Sequence, residues 1–193
     1  MTHATAQEWQ IDAVDVPAYL AALGVEPASP SLDLLEHLHR AHVSTFPFSN
    51  VEVLLGEHPG VEPATVFDQV VVRRRGGYCF EHSQLFSAAL QTLGFTVRRA
   101  LGRVRSLQSA RTHMTVLVDL DGARYLCDPG FGFNITGPIA LDDGARRVEG
   151  GVPSPWAGSR TRAGRCGPST VTGRWSTCWT SPRCTRQTSG WAT

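Results

Sequence analysis

His113-Met114-Thr115-Val116-Leu117-Val118-Asp119-Leu120, then Asp121-Gly122, then Ala123-Arg124-Tyr125-Leu126-Cys127-Asp128, is the stretch whose reading decides the fold. Both arms are rich in β-branched and aliphatic residues, and Asp-Gly between them is a strong two-residue hairpin signal. A two-residue turn pairs Leu120 with Ala123, Leu117 with Leu126 and Thr115 with Asp128. Directly opposed side chains share a face, as do residues two apart along a strand. His113 and Asp128 therefore fall on one face as diagonal neighbours, roughly 7–8 Å apart at Cβ or less, within reach of each other. Met114, Val116, Val118, Leu120, Tyr125 and Cys127 fall on the other face, which suits a core. A slip of one residue would separate His113 from Asp128.

Upstream the period is helical. Val16 to Gly24 predicts a short helix, with Pro17 in its first turn and Gly24 as its stop. A second helix is expected from Ser29 or Ser31 to just before Phe46-Pro47, with Leu32, Leu35 and Leu38 on one face. Thr65-Val66-Phe67-Asp68 resembles a capping box and predicts a third helix to about Arg74, broken by Arg75-Gly76-Gly77-Tyr78. A fourth is expected from Cys79 to Leu93, its apolar side formed by Phe80, Leu85, Phe86, Ala89, Leu90 and Leu93, and stopped by Gly94. From Phe95 to Val104 the period is two, with a bend at Gly102. Helices followed by antiparallel strands give an α+β class rather than alternating βαβ units.

The chain has 193 residues, 41% of them hydrophobic and 18% charged, so a packed core is expected and wholesale disorder is not. A net charge of +1 points to neither a nucleic-acid nor a membrane partner. No apolar run approaches the roughly 18–20 residues of a membrane span. The first 15 residues lack a basic patch followed by an apolar stretch, so no signal peptide is expected. Five irregularly spaced cysteines fit free thiols and a cytoplasmic location better than a disulfide framework.

The average charge hides a split. The first 150 residues hold 12 arginines against 17 acidic residues, net −5, whereas residues 151–193 hold six arginines and no acid, net +6. From Val152 onward there is no Leu, Ile, Phe, Met, Asp, Glu or Asn, yet there are four Trp and three Cys. A basic disordered extension is one reading, but so many aromatics argue against it. The favoured reading is out-of-frame translation of a GC-rich gene, and no stable fold is expected in residues 151–193.

Cys79 is the candidate nucleophile. It follows Arg73-Arg74-Arg75 and opens a predicted helix, and both features favour a thiolate. Gly76 and Gly77 would allow close backbone approach and could offer amide donors to an oxyanion. A thiolate, an imidazole to exchange its proton and a carboxylate to orient that imidazole form a nucleophilic triad. Taken singly, such residues are more often a small core thiol, turn residues and a solvated helix end. His37, His39 and His42 share a helix with no ligand cluster around them, and the Cys79–His82 spacing lacks a second pair, so no metal site is expected. Neither a phosphate-binding loop nor a dinucleotide fingerprint occurs.

Arg74-Arg75-Gly76-Gly77-Tyr78-Cys79-Phe80-Glu81 strongly resembles the active-site segment of arylamine N-acetyltransferases. Thr112-His113-Met114 and Cys127-Asp128-Pro129-Gly130-Phe131-Gly132 resemble that family's histidine and aspartate segments, in the same order. Arg40-Ala41-His42, Phe46-Pro47-Phe48-Ser49-Asn50-Val51 and Ala18-Tyr19-Leu20 add to the resemblance, which covers roughly residues 15–150. It implies a helical first domain carrying the nucleophile (residues 1–94), an antiparallel β-barrel carrying His113 and Asp128 (partial here, residues 95–150), a triad arranged as in cysteine proteases, and a lid domain that is missing here.

It also implies ping-pong chemistry with acetyl-CoA as donor substrate and no permanently bound cofactor. Cys79 would take the acetyl group, His113 would exchange protons and Asp128 would hold His113. An arylamine or arylhydrazine would be the acceptor, as in xenobiotic metabolism. Val104 and Phe131 match positions lining the acceptor pocket, and Thr112 and Gly132 match positions near the coenzyme. Two departures stand out. Ser49 replaces the glutamate usual in Phe-Glu-Asn, which puts the support of the arginine segment in doubt. The resemblance also stops near Gly150, so weak acetyl-CoA binding is expected. The alternatives are an amide synthase of the same family, a papain- or transglutaminase-like hydrolase (disfavoured by the absence of Cys-Gly-Ser-Cys-Trp), and an inactive product.

Overall fold

The computed structural model describes residues 9–104, 106, 108–131, 135–141 and 178–179. Helix α1 spans Val16–Leu23, with the Asp15 carboxylate accepting from the Ala18 amide at 3.0 Å and Gly24 closing it at φ 68°. Helix α2 spans Leu32–Thr45, and the Ser31 hydroxyl accepts from the Leu34 amide at 3.2 Å. Of the two expected start positions, Ser31 is the cap, because its side chain satisfies an otherwise orphaned donor. The apolar face of α2 is rotated from the expected one. Leu34, Leu35, Leu38, His39 and His42 are buried, while Leu32 is 37% exposed in the first turn.

The third expected helix begins earlier than Thr65. Helix α4 spans Pro63–Phe67, opened by proline, whose fixed φ and missing amide suit a first turn. It passes directly into a π-helical turn at Asp68–Val72. A short helix α3, Val51–Leu55, precedes it and was not expected; it leaves Val51, Leu54 and Leu55 exposed. Helix α5 spans Cys79–Thr92 as expected, but it has no solvent face over residues 81–90. It is the central helix, packed by α1 and α4 on one side and by the sheet on the other.

The strands are β1 Thr96–Arg103, β2 His113–Leu120, β3 Ala123–Cys127, β4 Ile139–Ala140 and β5 Cys178–Trp179. They form one antiparallel sheet in the order β4-β3-β2-β1-β5. The expected barrel is not what is seen. Among the described residues the sheet is open, with two-residue strands at both edges and no pairing between them. The β5 pair falls in the basic tail; the remainder of that tail lies outside the described residues.

The hairpin register is the expected one: Leu120 pairs with Ala123, Leu117 with Leu126 and Val116 with Cys127. Asp121 and Gly122 both take positive φ, 49° and 78°, the signature of a type I′ turn whose twist matches the strands. Val116, Val118 and Cys127 join the core, which also holds Leu85, Phe86, Ala89 and Leu90 of α5. The Ser83 hydroxyl donates to the Met114 carbonyl at 2.9 Å, pinning α5 along β2.

Gly122→Val would force a β-branched residue into the left-handed region. An expected loss of at least about 1–2 kcal/mol in urea denaturation follows from that strain. An unchanged midpoint would contradict the I′ turn.

Candidate active site

Each of the three candidate residues is delivered by a different piece of this frame. Cys79 is the first residue of α5, His113 the first of β2, and Asp128 follows the last residue of β3. The start of α5 lies at the end of the sheet where β2 begins and β3 finishes. There the Cys79 sulfur is 3.8 Å from the Thr112 carbonyl. Gly130 makes the approach possible. A Cβ built there would lie 2.6 Å from the Cys79 Cα and 2.9 Å from the His82 Cβ, so any side chain would push the Asp128 loop off α5.

His113 and Asp128 are 4% and 2% exposed. The His113 Nε2–H donates to both carboxylate oxygens of Asp128, at 2.9 Å and 2.8 Å. That commits Nε2, while the neighbouring Cys79 side chain also favours the protonated ring. Burial alone would lower the imidazole. The Asp128 charge and hydrogen bonds, with a further push from Cys79, outweigh it and raise His113 to about 10. At Asp128 burial pushes the carboxyl up, and the His113 charge and hydrogen bond oppose it. The favoured neutral-pH state is an imidazolium between a carboxylate and the sulfur. The Phe131 ring stands edge-on to His113, 5.0 Å between centroids and 81° between planes.

The other expected site residues are placed as follows. Thr112 contributes its carbonyl to the sulfur while its side chain is exposed. Val104 is half-buried just past β1, two residues after Gly102, the strand partner of His113. Gly132 lies outside the described residues. Gly77 does not serve as expected, nor can the next amide replace it. The Gly77 amide already donates to the Pro47 carbonyl at 3.3 Å, and the Tyr78 amide to Glu81 Oε2 at 2.8 Å, so neither is free for an oxyanion.

The arginines are likewise partnered. Arg73 pairs with Asp68 at 2.7 Å, Arg75 with Glu52 at 3.1 Å, and the Arg74 guanidinium lies 5.7 Å from the Phe46 ring centroid. Glu52 thus supplies, three residues later, the carboxylate that Ser49 lacks. Sequence reasoning quoted Gly130 and Glu81 without giving them a role and weighed His82 only as a metal ligand. Glu81 is buried, caps α5 through the Tyr78 amide, and pairs with His58 at 3.2 Å. Its place three residues after the N-cap was the available signal.

A family profile described as N-acetyltransferase matches residues 31–153. The chain belongs to the arylamine N-acetyltransferase family. The arylamine N-acetyltransferase / N-hydroxyarylamine O-acetyltransferase of Salmonella typhimurium is 38% identical over 130 residues, covering 64% of this chain and 46% of that protein. The Escherichia coli arylamine N-acetyltransferase is 40% identical over 119 residues, covering 59% and 42%. Among solved structures, the arylamine N-acetyltransferase of Mycobacterium abscessus superposes with a TM-score of 0.70 at 34% identity, covering 77% of this chain and 54% of that one. The Mycobacterium marinum arylamine N-acetyltransferase in complex with CoA gives 0.65 at 34% identity, covering 69% and 54%. The chain therefore spans about half the length of the arylamine N-acetyltransferases it matches. Among its described residues no helix is long and apolar enough to cross a membrane.

Stability should fall on both sides of a neutral plateau. His113 is raised to about 10, so its contribution is full below the unfolded imidazole value of about 6.5 and is lost as pH rises through about 10. His82 is lowered to about 4, so its contribution is present above about 6.5 and is lost as pH falls toward 4. In melting temperatures measured from pH 4 to 10.5, His113→Gln should flatten the alkaline limb. An alkaline limb identical to that of the parent would contradict the raised imidazole.

Proposed function

We propose that the chain moves an acetyl group from acetyl-CoA to an arylamine or arylhydrazine nitrogen through an acetyl-cysteine intermediate. The observation that carries this reading is the two-oxygen grip of Asp128 on His113 Nε2, with the Cys79 side chain neighbouring the same ring. The Cys79 thiolate attacks the thioester carbonyl of acetyl-CoA. The tetrahedral adduct collapses with loss of the CoA thiolate, which takes its proton from the His113 imidazolium. The now neutral imidazole accepts a proton from the incoming amine as nitrogen attacks acetyl-Cys79. The amide leaves, and Cys79 regains its thiolate beside the imidazolium.

Asp128 holds the ring orientation and stabilises its charge throughout. Thioester-to-thioester exchange is close to balanced, and amide formation draws the second half forward. Phe131, set against the imidazole edge, and Val104 are assigned to the acceptor side, with Thr112 and Gly132 on the coenzyme side. Burial of Cys79, His113 and Asp128 strengthens the electrostatic interactions among them. A cytoplasmic location fits the free thiols at Cys79 and Cys127.

Incubation with acetyl-CoA should add one acetyl group at Cys79, seen by intact mass and peptide mapping, and hydralazine or an aminobenzoate should discharge it. Cys79→Ser should abolish labelling. Asp128→Asn, which keeps the shape but loses the charge, should slow it by on the order of 10⁴-fold. Labelling at another cysteine, or none in the folded chain, contradicts the proposal.

A further inference from the structure

A second set of titratable groups crosses the helical layer, and the reaction above uses none of it. Tyr19 of α1, His42 of α2 and His82 of α5 are all fully or almost fully buried. The Tyr19 hydroxyl is 2.7 Å from His42 Nδ1, His42 Nε2 is 2.7 Å from His82 Nδ1, and His82 Nε2 is 3.3 Å from the Pro47 carbonyl oxygen. The two imidazole planes meet at 72°.

The protons in this row are fixed from its far end. A carbonyl only accepts, so a proton of His82 sits on Nε2, and burial, which disfavours a second proton, leaves Nδ1 a lone pair. His42 must then donate from Nε2 and accept at Nδ1, where the Tyr19 hydroxyl donates. In this arrangement every donor of the row meets an acceptor with both rings neutral. Burial favours that state, holding His82 at about 4 and His42 well below the usual imidazole range, with Tyr19 kept protonated.

The row ends on a backbone atom that shapes the nucleophile loop. The Pro47 carbonyl also accepts the Gly77 amide at 3.3 Å, and the Gly77 carbonyl accepts the Ser49 amide at 2.7 Å, forming a parallel bridge between Phe48 and Gly77. Gly76 packs so closely on the Pro47 carbonyl that any side chain at 76 would collide with it. Gly77 is two residues before Cys79. On its other flank the His82 Cβ abuts Gly130, two residues after Asp128. His82 therefore braces both segments that meet at the sulfur.

We propose that His82 is a positioning residue for Cys79: its Nε2–H, oriented by the Tyr19–His42 row, holds the Pro47 carbonyl and with it the Gly76-Gly77 loop that sets the start of α5. This inference rests on Cys79 being the nucleophile. The two bonds of His82 can be removed one at a time. In His82→Gln the side-chain amide N–H falls near the Nε2 position and keeps the Pro47 bond while losing the His42 bond. In His82→Asn the amide oxygen falls near Nδ1 and keeps the His42 bond while losing Pro47.

The test is iodoacetamide alkylation of the full chain at neutral pH, followed at Cys79 and at the buried Cys127 by peptide mass spectrometry. In the parent, Cys79 should react far faster than Cys127. His82→Gln should keep most of that rate and His82→Asn should lose at least about tenfold, since a displacement of an ångström at a reacting group costs up to about 100-fold. Equal rates in the two variants, or Asn faster than Gln, would overturn the positioning role while leaving the nucleophile intact. A parent Cys79 no faster than Cys127 would overturn the nucleophile reading and this inference with it. If His82→Asn does not fold, the ¹⁵N shifts of the parent His82 ring decide. A proton on Nε2 alone supports the proposal, and one on Nδ1, or on both nitrogens, overturns it.

Discussion

An imidazolium and a carboxylate, each all but removed from water, meet at the end of a β-hairpin, and much of the surrounding structure exists to keep them together. Two buried charges are tolerated only when paired with good geometry. Here one ring N–H is shared by both oxygens of Asp128 within 2.9 Å. Loss of either partner would strand the other as an uncompensated charge, at a cost of about 3–5 kcal/mol. The pair thus also guards the register that creates it. A one-residue slip of β2 on β3 would put His113 and Asp128 on opposite faces and leave both unpaired. Asp121 and Gly122, which accept positive φ, fix that register from the other end of the hairpin.

Three buried histidines show when a partner overrides burial and when burial prevails. His113, His82 and His42 are all buried. His113 faces a carboxylate and is held charged against its burial, whereas at His82 burial outweighs the Pro47 carbonyl bond and holds the ring neutral. A charged ring at position 82 would donate from both nitrogens, moving the His42 proton to Nδ1 and taking from the Tyr19 hydroxyl the lone pair it donates to. Helix α5 therefore carries, within its first turn, a thiol that looks toward the charged histidine and a histidine that looks toward the neutral row. Its absence of a solvent face over residues 81–90 is what lets it serve both sides.

Much of this was legible in the sequence because it depends on short-range rules. Asp-Gly between two β-rich arms fixed the hairpin and its register, and with them the shared face of His113 and Asp128. Pro17, Gly24 and Ser31 marked helix ends through backbone chemistry that acts over one turn. What escaped depends on contacts between distant segments. Leu32 satisfies the helical period but lies in a first turn that leaves it 37% exposed, and Leu34 is buried in its stead. His42 and His82 are 40 residues apart and looked isolated until α2 was laid against α5. Gly130 gave no local sign that a helix would lie against it. The π-helical turn at Asp68–Val72 and the open edges of the sheet are likewise set by tertiary packing rather than by local pattern. Gly76 and Gly77, legible as a loop, were expected to offer amides to an oxyanion, whereas the bare Cα of Gly76 serves a close pass by Pro47 and that of Gly77 one by Glu81.

The central claim is that His113 is a cation at neutral pH, held so by Asp128 beside the sulfur. Nitrogen-15 NMR of the imidazole in the intact chain tests it most directly. The account predicts two protonated ring nitrogens at pH 7 and a transition near pH 10. A neutral ring at pH 7, with one nitrogen carrying a free lone pair, would contradict it.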